Sequence, residues 1–239
     1  MFYRLLNSHS YLGSYLDTFH DHICCVLIVL CFFIIFLIVF IYWGFTRSKE
    51  YVDHKYLEVA WTAIPGCILL FLVVPSLYGL YMLEYTKISD VYKTYTIGGH
   101  QWYWRFTYPF SYSVFSSFFS VFPVSCKRQG ATSVATVSLS YDSYLDTRER
   151  LYNFRNLTAQ LPVVMVCQTL KRVLLFSEDV IHSFTIPDLG FKLDCVPGRL
   201  NQGFMSSHFF GVFFGQCSEI CGVDHSFMPI TLEVVRGIS

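Results

Sequence analysis

The sequence predicts a membrane-anchored protein with two parts, a hairpin of two transmembrane helices followed by an all-β sandwich or barrel. Two uncharged apolar runs, 23–46 and 59–83, precede a region of short alternating runs that Gly and Pro interrupt. Of the 239 residues, 54% are hydrophobic and only 14% are charged, about half the usual charged share. The 17 basic residues balance the 17 acidic ones, so no basic excess points to nucleic acid, and the hydrophobic content excludes intrinsic disorder.

The first apolar run, 23–46, would reach about 36 Å as a helix, which is enough to cross a bilayer with some tilt. The second run, 59–83, is equally long and contains Pro65 and Pro75. Membrane helices tolerate proline when neighbouring groups satisfy the freed carbonyls, so we expect a kink there and not an end.

The turn at 47–58 is short, so the two helices form an antiparallel hairpin and return the chain to the side on which it began. Residues 1–22 therefore share a compartment with residues 84–239. The turn carries three basic residues and the first 22 residues carry one. This positive bias predicts that the turn faces the inner (matrix) side and that both termini face the outer side.

Residues 84–239 read as antiparallel β-strands, because runs of five to ten residues alternate in polarity or are wholly apolar. In the last of them, 230–234, one face is apolar and the other polar, as in a strand packed on a core. The Ser- and Phe-rich insert at about 107–135 is expected to be an inserted hairpin or a partner-facing loop and not a third span. The predicted strands are 91–97, 102–106, 136–145, 163–170, 172–176, 209–214 and 229–235.

The densest group of reactive side chains lies near the C-terminus, where Cys217, Cys221, His225 and Met228 fall within twelve residues. Thiolate and thioether ligands favour copper over hard cations, and a loop of this kind between two strands suits a copper site in a β-sandwich. His182, in a strand-like segment upstream, is the best candidate for a second imidazole. A single copper needs only one Cys, so the second thiolate indicates either two bridged coppers or a different site.

Three other interpretations of these residues stay open at this point. Cys217 and Cys221 could form a structural disulfide, which would leave His225 and Met228 without a role. Two Cys and two His would also suit tetrahedral zinc, although zinc has no use for Met228. The third is a membrane-anchored copper chaperone or sensor that binds one exchangeable copper.

Four segments of the chain stand out, GHQWYW from Gly99, SEDVIHSF from Ser177, PGRLNQ from Pro197 and CSEICGVDHSFMPI from Cys217. They resemble subunit II of haem–copper cytochrome c oxidase, in that family's order. The resemblance also covers the helical hairpin, where Glu58 precedes Ala60-Trp61-Thr62, but it is poor in the first 20 residues and over 106–160. It implies that 84–239 is a cupredoxin-like Greek-key sandwich on the outer side of the membrane, holding the binuclear copper centre CuA.

The resemblance implies a copper ligand at each of six positions. Cys217 and Cys221 would bridge both coppers, and His182 and Met228 would complete one of them. His225 and the main-chain carbonyl of Glu219 would complete the other. The side chain of Glu219 would then be free to reach a magnesium ion shared with subunit I, and this chain would bind no haem.

Roles for other residues also follow from the resemblance. Trp102, with Tyr103 beside it, would receive the electron from cytochrome c, whose basic face would make docking dependent on salt. Glu58 would lie at the mouth of a proton path. The docking acids would be Glu178, Asp179 and Asp188, with Asp142 and Asp146 as substitutes for acids that the insert replaces. The residues facing subunit I would be Asp194, Arg199 and Asn201.

The resemblance implies an electron-accepting subunit of a respiratory terminal oxidase, a proton-translocating oxidoreductase whose oxygen-reducing site lies in another subunit. Its partners would be subunit I, other oxidase subunits, cytochrome c and the lipid bilayer.

The Phe and Tyr bias and the lack of a cleavable leader favour the mitochondrial inner membrane, with both termini in the intermembrane space, over a bacterial plasma membrane. Nitrous oxide reductase is soluble, and quinol oxidase subunit II has lost the copper ligands, so neither fits.

Overall fold

The structure, a computed structural model, describes residues 7–44, 53–84, 90–110, 137–148 and 153–237. The chain divides into two compact units. The first consists mainly of the helices, Tyr15–Met82, and the second joins Arg4–Ser14 to Leu83–Ser239. Of the Ser- and Phe-rich insert predicted at about 107–135, residues 111–135 lie outside the described residues.

Two long helices form the first part of the chain, α1 at Tyr11–Tyr42 and α2 at Lys55–Glu84. With 32 and 30 residues they would extend about 48 and 45 Å, more than a hydrocarbon core requires. Helix α1 begins at Tyr11, whereas the sequence predicted a span from residue 23. Asp17 and Asp21 lie in the first turns of α1, before the uncharged run, and they do not end the helix. A search for uncharged residues therefore finds only the later, apolar part of α1.

Helix α2 continues through both of its prolines, and side chains from α1 pack beside the second one. The Tyr15 hydroxyl donates a hydrogen bond of 2.7 Å to the carbonyl of Pro75, and the Tyr15 ring lies 5.3 Å from that of Tyr78. A Cβ at Gly79 would lie 2.9 Å from the Tyr15 ring, so glycine permits this close approach. Most other side chains of both helices are exposed and apolar, as expected for surfaces that face lipid or other membrane helices.

The β-domain is a sandwich of two five-stranded sheets in the described residues. One sheet has the order β3-β2-β1-β5-β8 and the other β4-β10-β9-β6-β7. Between them lies an apolar core whose largest fully buried side chains include Trp104, Phe184, Leu175 and Ile230. The strands are β1 Val91–His100, β2 Tyr103–Phe110, β3 Val137–Ser143, β4 Val163–Val166, β5 Leu170–Ser177, β6 His182–Ile186, β7 Phe191–Cys195, β8 Asn201–Met205, β9 Gly211–Cys217 and β10 Pro229–Val235.

The strand directions differ in part from the antiparallel arrangement that the sequence predicted. Strand β1 pairs with β5 in parallel, and β4 pairs with β10 in parallel. Of the predicted run 163–170, only Val163–Val166 forms β4, because Gln168 has a φ of 57° and turns the chain, and β5 begins at Leu170. Alternating polarity identifies a strand but carries no information about the direction of its neighbour, so the parallel pairs were not predictable from it.

Candidate metal centre

The ends of three neighbouring strands bring the candidate ligands together. His182 is the first residue of β6, Cys217 is the last of β9, and Met228 immediately precedes β10. Strands β6 and β9 are antiparallel with Phe184 opposite Cys217, so the start of one lies beside the end of the other. The loop that leaves β9 carries Glu219, Cys221 and His225 back over this point.

Cys217 lies at the centre of the first group of contacts. Its Sγ is 3.9 Å from Nδ1 of His182, 3.3 Å from the carbonyl oxygen of Glu219 and 4.0 Å from Sγ of Cys221. A disulfide has its sulfurs about 2.05 Å apart, so this spacing is that of two separate thiols and not of a disulfide. The structural-disulfide interpretation therefore does not agree with the structure.

Cys221 completes the cluster from the other side. Its Sγ is 3.5 Å from Nδ1 of His225 and 3.5 Å from Sδ of Met228. The two thiols, His182 and Met228 are almost fully buried. Two thiols, two imidazoles, a thioether and a carbonyl thus converge, which is a soft donor set larger than tetrahedral zinc requires and suited to copper.

The two thiols differ in acidity. Burial opposes ionisation of Cys217, but hydrogen bonds from His182 and from main-chain groups outweigh it and lower the pKa of this thiol. Burial raises the pKa of Cys221, and a charge on Cys217 raises it further. Ionisation of one thiol therefore opposes ionisation of the other. A metal that binds a thiol displaces its proton.

The His182 ring is held by groups that do not belong to the candidate ligand set. Its Nε2 is 2.8 Å from Oδ1 of Asp179, so the other nitrogen, Nδ1, faces Cys217. A Cβ at Gly99 would lie 2.9 to 3.0 Å from this ring, so glycine at that position lets strand β1 pass close to it. Such outer contacts orient a metal-ligating imidazole.

Trp104 has a role at the site that the sequence did not reveal. The side chain is fully buried, as is common for a core aromatic residue. Its Nε1 also donates a hydrogen bond of 3.2 Å to the carbonyl of Met228, and its ring meets that of His182 edge-on at 6.1 Å. The only sequence signal for this role was its place in the GHQWYW segment.

Trp102 lies at the turn between β1 and β2, beside the loop that joins β9 to β10. This loop, residues 218–228, is called the metal loop below. A Cβ at Gly222 would lie 3.1 Å from the indole of Trp102, so the ring rests against this glycine. The preceding side chain, Gln101, donates a hydrogen bond of 2.8 Å from Nε2 to the carbonyl of Cys221. Tyr103 stacks between two rings, those of His100 and Tyr144, with centroids 4.8 Å away on each side.

Comparison with known proteins decides the family. The family described as cytochrome c oxidase subunit II, periplasmic domain, matches residues 93–235, and the corresponding transmembrane domain matches residues 4–78. The chain belongs to the cytochrome c oxidase subunit II family. It is thus a subunit of an oxidoreductase complex, with two membrane helices and a cupredoxin-like sandwich, as the resemblance implied.

Two subunit 2 sequences agree with this assignment. Cytochrome c oxidase subunit 2 of Simulium vittatum is 37% identical over 96% of this chain and 89% of its own length. The corresponding protein of Aedes aegypti is 35% identical over 97% of this chain and 90% of its own length. The periplasmic domain of subunit II of cytochrome oxidase (CoxB) of Bradyrhizobium japonicum is 31% identical, with a TM-score of 0.48, and covers 63% of this chain and 88% of that domain.

The acids that the family resemblance assigned to docking do not form one free patch in the described part of the oxidase subunit. Glu178 and Asp179 are both exposed, but Asp179 is also bonded to His182 and to main-chain groups of Gln101 and Val180. Asp188 lies in the short helix Pro187–Leu189 and is only partly exposed, and burial raises the pKa of its carboxyl. The two substitutes are paired with arginines, Asp142 with Arg105 at 2.7 Å and Asp146 with Arg148 at 2.8 Å.

The residues assigned to the subunit I side lie near His182. Asp194 is opposite Ser183 in the β6–β7 pair and accepts a hydrogen bond of 2.7 Å from its hydroxyl. Asn201 donates a hydrogen bond of 2.6 Å to the carbonyl of Asp194, and Arg199 is exposed in the turn before it. Glu58 is separate from this group, in the first turn of α2, where its carbonyl accepts a hydrogen bond of 2.9 Å from Thr62.

Proposed function

We propose that this chain is the electron-accepting subunit of a respiratory terminal oxidase, which takes electrons from cytochrome c and delivers them to haem in subunit I. The observation that carries the proposal is the convergence of six donor groups directly beside Trp102. Because the chain belongs to the oxidase family, we propose that its electrons pass to the oxidase complex.

The proposed copper ligands are the side chains of His182, Cys217, Cys221, His225 and Met228, with the carbonyl of Glu219. Bound there, a binuclear copper centre would supply a store for one electron that changes its geometry little between oxidation states. The chain favours such small changes, because His182, Cys217 and Met228 are fixed at strand ends and are shielded from water. Buried, rigid ligands reduce the rearrangement that accompanies a change of charge.

Trp102 is proposed to receive the electron. Tyr103, the next residue, is proposed to support this role, and its ring stacks with those of His100 and Tyr144. The Trp102 side chain is only partly buried, so a donor can reach it, and its other side rests on Gly222 of the metal loop. We assign docking of the basic donor to Glu178 and treat Asp188 as a weaker candidate. In the family, oxygen chemistry would take place in subunit I.

A magnesium site shared with subunit I is proposed at Glu219, with Asp194 close by. Both residues lie near Ser183. Asp194 is paired with Ser183 across β6 and β7. Ser218, the residue before Glu219, donates a main-chain hydrogen bond of 3.0 Å to the carbonyl of Ser183. Carboxylate oxygens are the ligands that magnesium prefers. Arg199 and Asn201 would then face subunit I. A proton-path role for Glu58 remains our proposal from its exposed position on α2.

We place the protein in the mitochondrial inner membrane with both termini in the intermembrane space. Contacts within the second unit support this topology, because residues just before α1 bond to the sandwich. The main-chain N–H of His9 donates to the carbonyl of Asp188 at 2.7 Å, and that of His208 donates to the carbonyl of His9 at 2.8 Å. The Ser10 hydroxyl also donates to the carbonyl of Leu189 at 2.6 Å. These contacts support our placement of residues 7–10 and the sandwich on the same side of the membrane.

Copper content and electron paramagnetic resonance of the full-length chain in detergent test this function. Two coppers per chain that share one unpaired electron are expected in the wild type. The variant Cys217→Ser should lose this signal, whereas Cys167→Ser, at a half-buried cysteine outside the cluster, should keep it. One copper with a mononuclear signal would instead establish a chaperone or sensor, and no copper would leave a structural domain.

A further inference from the structure

The carboxylate of Asp179 links two parts of the candidate metal centre that are far apart in sequence. Its Oδ1 lies 2.8 Å from Nε2 of His182, and its Oδ2 accepts a hydrogen bond of 2.6 Å from the main-chain N–H of Gln101. Gln101 precedes Trp102 directly, so one side chain contacts both a proposed copper ligand and the turn that presents the proposed electron acceptor.

The carboxylate is itself held in place. The main-chain N–H of Val180 donates a hydrogen bond of 2.6 Å to Oδ1, and the Ser177 hydroxyl donates one of 3.1 Å to the same oxygen. With the bond from Gln101 to Oδ2, both oxygens of the carboxylate are therefore held by neighbouring groups. A fixed acceptor restricts the orientation of the ring to which it is bonded.

This bonding pattern determines which nitrogen of His182 is free. The carboxylate has only acceptor oxygens, so Nε2 carries the proton and Nδ1 keeps its lone pair toward Cys217. The His182 side chain has no exposed surface, and water therefore does not compete for Nε2. Rotation of the ring would break this bond inside the protein.

The turn at Gln101 and Trp102 is held from a second direction by the metal loop. Gln101 donates from Nε2 to the carbonyl of Cys221, and the indole of Trp102 rests on Gly222. The turn is thus bonded to His182 through Asp179 and to Cys221 directly. These two attachments restrict the movement of Trp102 relative to the cluster.

We propose that Asp179 is a positioning residue of the metal centre, which orients the His182 ring and the Gln101–Trp102 turn with a single carboxylate. It replaces the role of docking acid that the family resemblance gave to this residue. The inference rests on the proposed function, since it assumes that the cluster holds copper. Glu178, the neighbouring exposed acid, keeps the docking role.

Matched substitutions in the assembled oxidase distinguish positioning from docking. Asp179→Asn and Glu178→Gln each remove one negative charge from adjacent positions, but only the first alters the group bonded to His182. We expect D179N to raise the reduction potential of the copper centre, change its paramagnetic resonance spectrum and slow electron acceptance about tenfold. E178Q should keep the wild-type potential and spectrum and change only the donor KM and its salt dependence.

The variant Asp179→Glu keeps the charge but moves the carboxylate. It provides a second test of the positioning role if D179N does not assemble. Positioning predicts a changed spectrum for D179E, whereas docking predicts the wild-type spectrum. Wild-type potential and spectrum in D179N and D179E would overturn the inference while leaving the function intact. A wild-type oxidase without a binuclear copper signal would instead overturn the proposed function itself.

Discussion

The indole N–H of Trp104 donates a hydrogen bond to the main-chain carbonyl of Met228, 3.2 Å away, and so connects the core of the sandwich to the last proposed ligand. Both side chains are almost completely buried. A buried carbonyl that loses a hydrogen-bond donor is costly, so this bond holds the end of the metal loop against β2.

Replacement of Trp104 by Phe should therefore weaken both the fold and the site. The variant loses the hydrogen bond and leaves a cavity, which together should destabilise the domain by about 2–4 kcal/mol. The melting temperature and the copper spectrum of the full-length chain would report the change. Trp102→Phe is the control, since Trp102 is only partly buried and should affect electron acceptance more than stability. Equal melting temperatures for W104F and the wild type would contradict this role.

Replacement of Gly222 by Ala should displace Trp102 from the metal loop. Gly222 has a φ of 128°, and an added Cβ would lie 3.1 Å from the indole. The strain should cost about 1–3 kcal/mol and slow electron acceptance from cytochrome c. Stopped-flow reduction and Trp fluorescence would measure the effect.

Gly198→Ala is the matched control for this variant. Gly198 also has a positive φ, 76°, but an added Cβ would meet no atom within 4 Å. It should therefore carry backbone strain without a change in reduction rate. Similar rates for G222A and G198A would show that contact with Trp102 is unimportant.

Oxidase turnover with a basic donor should fall as ionic strength rises, because salt screens attraction to acidic residues. Glu178→Gln should flatten this dependence, since Asp142 and Asp146 are already paired with arginines. Glu233→Gln, on β10, removes the same charge elsewhere and should retain the wild-type slope. The steady-state rate from low to high salt provides the measurement, and an unchanged slope in E178Q would remove Glu178 from the docking surface.

Replacement of the buried Lys171 by Met should destabilise the sandwich. Its Nζ donates to the carbonyls of Val166 and Thr169 and to the Thr169 hydroxyl, which holds the turn between β4 and β5. Without the ammonium group these buried acceptors lose a donor, which should lower the free energy of unfolding by about 1–3 kcal/mol. Lys192→Met, at an exposed position on β7, should leave the melting temperature unchanged. A K171M protein as stable as K192M would show that water replaces the ammonium group.

Some features of the site were accessible from the sequence because they are local. The spacing of Cys217, Cys221, His225 and Met228 confines these side chains to one short loop whatever the surrounding fold. His182 was also predicted, although its meeting with Cys217 depends on the pairing of β6 with β9. The apolar runs predicted two membrane helices, but the start of α1 at Tyr11 was missed because polar residues in its first turns conceal it.

The assignment of Asp179 shows why other features were not accessible. In the sequence, Glu178 and Asp179 are two adjacent acids that the family resemblance treats alike. In the structure, only Asp179 bonds to His182 and to Gln101, which is 78 positions away. The separate environments arise from the turn after β5, and residue type alone does not distinguish them.

The sequence by itself determined that the chain has a membrane hairpin, a β-domain and a group of candidate soft metal ligands, because composition and short spacings are properties of the chain. Only the tertiary structure decided which strands run parallel, which acids are free and which groups hold the ligands. Those properties depend on hydrogen bonds between residues far apart in sequence, such as Trp104 and Met228, and such partners meet only when the two sheets pack together.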